Sequence, residues 1–136
     1  MAFADAQDNA VIFYGESPAP IFLSGTVTKG DCVGYSSGWK RALATTASVV
    51  QMRCCAAEDG VLGQTIVAYF GECKMGGSRL SGATAGSALY VAEGTASGQY
   101  TETVPDTTGD ATTAIGEVLD ATTTLLFPHR NNHSVA

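Results

Sequence analysis

Short apolar runs separated by glycine- and serine-rich breaks fill most of the chain, and their period sets the fold class. Val49 to Ala57 alternates: Val50, Met52, Cys54 and Ala56 share one face of an extended strand, and Gln51, Arg53 and Cys55 share the other. Gln64 to Gly71 is apolar on both faces, with Ile66, Ala68 and Phe70 opposite Val67 and Tyr69, which predicts a central strand. Cys32–Tyr35 and Trp39–Ala42 flank Ser36-Ser37-Gly38 and read as a hairpin. Ala88–Val91 and Gln99–Thr103 flank a small-residue loop, and Ala114–Leu119 and Thr123–Phe127 make a last hairpin around Asp120-Ala121. The best helical window, Ala42 to Val49, is weakened by Thr45, Thr46 and Ser48. The expected fold class is all-β, a small β-barrel or sandwich of about eight to ten short antiparallel strands.

The ends differ from the middle. Residues 1–20 read as an extended N-terminal arm with one apolar run, Val11-Ile12-Phe13-Tyr14, closed by Pro18 and Pro20, which favour extended backbone before them. Such a segment pairs with the domain's own sheet or adds a strand to a neighbour's edge. Residues 21–128 form the β domain, and 129–136 read as a solvated polar tail. An internal echo links Leu23–Val33 with Leu80–Leu89: each runs from an apolar residue through Ser-Gly, a threonine and a second glycine into a strand. Repeated turn grammar is the preferred explanation over duplication.

Composition narrows the function classes. The chain has 136 residues, enough for one domain. Seven Lys+Arg stand against 13 Asp+Glu, a net charge of −6, and charged residues make up only 15%. Without a basic cluster the chain is not expected to bind nucleic acid. No apolar stretch reaches membrane-spanning length, and the acidic start gives no signal-peptide n-region, so neither membrane nor export is expected. Residues 80–136 hold six acids against Arg130, which predicts an acidic side that steers toward a basic partner surface.

The four cysteines, Cys32, Cys54, Cys55 and Cys73, form no C-x-x-C, so zinc is not expected. Adjacent Cys54 and Cys55 point to opposite faces of a strand, and all four read as reduced, buried thiols. Gly34-Tyr35-Ser36-Ser37-Gly38 matches the hydrolase nucleophile elbow, but no helix follows it, and a Ser/Gly hairpin turn is the simpler reading. His129 and His133 fall in the tail, and Asn132-His133-Ser134 fits a glycosylation sequon by chance. Glu58-Asp59 and Asp106/Asp110 read as solvated turn acids, and the 104–110 loop lacks calcium-ligand spacing. Tyr35, Trp39, Tyr90 and Tyr100 read as packing residues before a binding patch. No catalytic, cofactor-binding or metal-binding residue is expected, and the protein is not expected to be an enzyme.

Several segments, in order, carry a resemblance: Val27-Thr28-Lys29-Gly30-Asp31-Cys32-Val33-Gly34; Ala56 to Ile66, with Glu58-Asp59-Gly60; Thr84-Ala85-Gly86-Ser87-Ala88-Leu89-Tyr90-Val91; Ala114-Ile115-Gly116-Glu117-Val118-Leu119; and Thr124-Leu125-Leu126-Phe127-Pro128. In these the chain, from about Pro20 to Pro128, resembles the head decoration (capsid cement) proteins of tailed bacteriophages. The cysteines and the tail lie outside the pattern. The resemblance implies a β-barrel-like structural protein, made in the host cytoplasm and bound to the capsid exterior of the virion. It implies the major capsid protein as partner and homo-oligomers, with a homotrimer favoured. The candidate partner-binding residues are Val11, Ile12, Phe13 and Tyr14, through strand addition. The alternatives are another virion component (a tail or head-fibre protein), a surface carbohydrate-binding module using Trp39 and the tyrosines, or a hydrolase using Ser36.

Overall fold

A computed structural model describes residues 10–76, 84–128 and 134–136. Among them the chain is all-β, with eleven short strands in two antiparallel sheets and no helix. The strands are β1 (Val11–Gly15), β2 (Pro18–Phe22), β3 (Cys32–Tyr35), β4 (Trp39–Arg41), β5 (Cys54–Ala56), β6 (Thr65–Tyr69), β7 (Cys73–Gly76), β8 (Ala88–Val91), β9 (Tyr100–Thr101), β10 (Ala114–Asp120) and β11 (Thr123–Leu126). One sheet has the order β1-β7-β11-β10-β8-β9, and the other has the order β2-β6-β5-β3-β4.

The larger core lies between the sheets. It joins Met75, Leu89, Val91, Tyr100, Ile115, Val118 and Leu126 of the six-stranded layer to Cys32 and Cys55 of the other, with Met52 from the chain just before β5. Tyr100 is fully buried in it, and its hydroxyl lies 3.2 Å from Thr124 Oγ1, which satisfies both hydroxyls. The second core sits on the far face of the five-stranded sheet: Ile21, Leu23, Val27, Val33, Cys54, Ala56, Ile66 and Ala68, edged by Trp39 and Phe70. That sheet curls over it. Leu23, just past edge strand β2, makes a bridge with Trp39 of the opposite edge strand β4, and Ser24 N–H donates to Trp39 O at 2.9 Å. The contact is a single bridge, so the sheet curls without closing into a barrel, and the two layers form a sandwich.

The chain between the strands covers the second core. Val27 and Gly60 exchange backbone hydrogen bonds of 2.9 and 3.0 Å. A Cβ on Gly60 would lie 2.6 Å from Leu23 Cδ1, so glycine is what lets this loop sit down on the core.

One turn recurs. In Thr28–Asp31, Val61–Gln64, Thr84–Ser87 and Thr107–Asp110 the fourth N–H donates to the first carbonyl, and the third residue is a glycine at φ +89 to +90°. This is the pattern of a type II turn, which needs a left-handed third residue. In three of the four, the fourth side chain also accepts the first residue's N–H: Asp31 from Thr28 at 2.8 Å, Gln64 from Val61 at 2.9 Å, Asp110 from Thr107 at 3.2 Å. The echo between Leu23–Val33 and Leu80–Leu89 contains two of these turns; residues 80–83 lie outside the described part.

Several expectations change. Val49–Ala57 is strand only at Cys54–Ala56, with Val50 held to Leu43 by an isolated bridge. Strand β6 is internal to its sheet, yet only Ile66 and Ala68 are buried; Val67 is exposed, because this part of the sheet extends beyond the layer that would cover it. Residues 11–20, read from the sequence as arm, form β1 on the edge of one sheet and most of β2 on the edge of the other. Prolines 18 and 20 sit within β2, where an edge position tolerates the missing N–H. Of Ser134–Ala136, Ser134 and Ala136 are exposed, as expected of a solvated tail, but Val135 is tied down: its N–H donates to Asp110 O, and Gly109 N–H donates to Val135 O.

Candidate interaction surface

Val11, Ile12, Phe13 and Tyr14 lie on β1, which pairs on one side with β7: Val11 opposite Gly76, Ile12 opposite Met75, Tyr14 opposite Lys74. The own-sheet pairing therefore takes one edge of this segment, and the other edge is the border of the sheet. Ile12 packs inward on the larger core. Val11, Phe13 and Tyr14 face solvent at 50%, 57% and 52% exposure, a high value for three apolar or aromatic side chains on one five-residue strand. The register shifts between Ile12 and Tyr14, so Phe13 is the bulged residue. Phe13 lies over Gly76, where an added Cβ would come 2.9 Å from its ring. The Tyr14 hydroxyl donates to Glu16 Oε2 at 2.7 Å, and this bond, with the nearby carboxylates, raises the phenol above its usual range.

A second apolar surface was not singled out from the sequence. Register places Pro18 opposite Tyr69, Pro20 opposite Val67, and Phe22 opposite Thr65, all on one face of the β2–β6 pair. At Tyr69 this face is tucked against the larger core, and at Val67 and Phe22 it is open to solvent. Period-2 spacing of Pro18, Pro20 and Phe22 was the available signal; the prolines hid it by reading as an arm's end.

The other candidates resolve locally. The glycines of Gly34-Tyr35-Ser36-Ser37-Gly38 have structural causes. A Cβ on Gly34 would collide with the Gln51 carbonyl oxygen and Val50, and Gly38 adopts φ +132° against Ser24. The segment is the β3–β4 hairpin turn, with Tyr35 opposite Trp39 and their rings edge to face at 5.4 Å. Trp39 also contacts Phe70 edge to face and lines the second core, while Tyr35 is exposed. His129 and His133 lie outside the described residues.

Asp110 is buried and takes the Thr46 N–H on Oδ1 and the Thr107 N–H on Oδ2, so it is a backbone clamp and not a solvated turn acid. Glu93 is also buried, which leaves four of the six acids of residues 80–136 to form any acidic side. Asp31 is buried and accepts from Arg41 Nε at 2.6 Å, while Arg41 Nη2 donates to Thr28 Oγ1. Among the described residues no cluster of three or more His, Cys, Asp or Glu side chains is placed to hold a metal ion.

Among the described residues the geometry thus defines an all-β sandwich with two exposed apolar strips at its strand edges. No family model, no curated protein and no solved structure matches the chain.

Proposed function

We propose that this protein is a structural component of a tailed-phage virion that binds the outer surface of the capsid and stabilises the shell by bridging major capsid protein subunits. The observation that carries the reading is the outer edge of β1, which pairs with no other strand among the described residues and where Val11, Phe13 and Tyr14 are each at least half exposed. Covering such side chains at an interface is favourable by roughly 25 cal/mol per Å² of apolar surface removed from water. A strand edge adds unpaired backbone groups able to dock a neighbouring strand. The ordered turn-and-strand segments from Val27 to Pro128 support the same reading through their resemblance to capsid decoration proteins. On a shell with many equivalent positions, weak contacts of this kind add up through avidity, more so in a homotrimer.

The test is co-sedimentation with expanded capsid shells. The intact protein should pellet with shells, and a Val11→Ser, Phe13→Ser, Tyr14→Ser variant should lose at least tenfold in bound fraction while keeping its β-sheet circular dichroism. Intact protein that stays in the supernatant beside intact shells would sink the proposal.

A further inference from the structure

A cleft of about 570 Å³ opens beside the β3–β4 hairpin, between its turn and the 45–49 loop. Its volume falls within the range of small-ligand sites. In a chain of net charge −6, the cleft is lined by two cations, Lys40 and Arg41, and by no carboxylate. Arg41 is spent on Asp31, whose carboxylate accepts its Nε, and on Thr28. Beyond the backbone ladder with Gly34, the Lys40 side chain makes no hydrogen bond or ion pair among the described residues, so its ammonium is the uncompensated charge of the cleft.

The rest of the lining divides by chemistry. Ser36, Ser48 and Ser97 bring hydroxyls from three separate loops, and Val50 with its neighbour Val49 forms an aliphatic wall. Hydroxyls that both donate and accept suit a ligand rich in hydroxyls, and an aliphatic wall suits the C–H face of a pyranose ring. One rim also holds strained backbone: Ala47 adopts φ +69°, in the left-handed region that costs an L-residue energy. Such strain concentrates at ligand-binding positions.

We propose that this cleft binds an acidic saccharide, with the carboxylate on Lys40 and the ring hydroxyls on the serines. The inference stands independently of the capsid reading. It also uses a different surface from Trp39, whose ring lines the second core.

The test is titration with digalacturonic acid at neutral pH, followed by backbone amide chemical shifts, with cellobiose, acetate and inorganic phosphate as parallel arms. Digalacturonic acid should give saturable shifts at Ser36, Ser48 and Ser97 and bind at least tenfold more tightly than each of the other three probes. Lys40→Met, which keeps the aliphatic stem, should weaken binding at least tenfold, and Lys40→Arg should retain it within about threefold. Lys40→Gln serves if the methionine variant does not fold. The proposal is overturned by the absence of saturable shifts at the three serines. It is equally overturned if phosphate or acetate binds as tightly, which makes the site a bare anion site, or if cellobiose does, which leaves Lys40 without a role. Unchanged affinity on removal of the Lys40 charge overturns it as well.

Discussion

Cys54 and Cys55 are consecutive in the chain and serve different cores: Cys54 packs with Ile21, Leu23 and Val33, and Cys55 with Met75, Tyr100 and Leu126. A strand residue and its successor point to opposite faces, and here both faces are covered. Each thiol is a small apolar filler with no room for a charge.

Burial alone pushes the Cys54 thiol from 9.0 up to about 12. The folded state therefore keeps this proton over a range in which the unfolded chain releases it. Its contribution to stability is fully present below pH 9.0 and is lost as pH rises from there through about 12. The expected slope is up to about 1.4 kcal/mol per pH unit from this group. Urea midpoints measured from pH 8 upward should fall, and Cys54→Ala should flatten that fall while lowering stability at pH 7. All four cysteines are free and buried, so a thiol reagent should label none in native buffer and all four in denaturant.

Asp31 joins a turn to a strand. Its carboxylate holds the Thr28 N–H and the Arg41 guanidinium together. Asp31→Ala leaves a half-buried guanidinium and a turn N–H without their acceptor, and should cost about 3 kcal/mol in urea unfolding. A loss below about 1 kcal/mol would mean that water replaces the carboxylate freely.

Gly34 and Gly63 separate two reasons for glycine. Gly34 has no room for a methyl group because the Gln51 carbonyl and Val50 lie where it would go. Gly63 has open space around its Cβ position but φ +89°. Gly34→Ala should cost about 2–3 kcal/mol or more through overpacking against backbone, and Gly63→Ala only about 1 kcal/mol through strain. Thermal unfolding of the two variants side by side checks the order.

Ala47 holds a left-handed backbone without a side chain able to compensate. Ala47→Gly should relieve more strain than it adds in unfolded-state entropy, for a gain of roughly 0.5–1 kcal/mol. A loss of stability in urea would show that the alanine methyl packs usefully.

Local grammar was legible in the sequence. The Ser36-Ser37-Gly38 hairpin and the Asp120-Ala121 hairpin follow from turn residues between apolar runs, and the structure has both. The opposite placement of Cys54 and Cys55 follows from period 2. What failed was anything set by which surface lies opposite. Met52 and Cys54 share a face by alternation, yet they enter different cores, because the chain leaves the sheet between them and Arg53 N–H bonds to Val33 O. Val67 looked buried because periodicity carries no information on where the covering sheet ends. Pairings such as β1 with β7 have no turn to announce them. The cleft was illegible for the same reason: Lys40 and Ser97 meet only after the chain has folded.

The position of β7 has a consequence for how the chain is made. It carries β1 on one side and β11 on the other, the first and last strands among the described residues. β1 therefore emerges from the ribosome long before its partner, and that partner gains its second neighbour only once Leu126 is out. Until then Met75 lacks its cross-strand neighbour Thr124, so the six-stranded layer is completed late and its unpaired strands are open to pairing between nascent chains. Yield of folded protein should thus depend on expression rate and temperature more than on the stability of the finished sandwich.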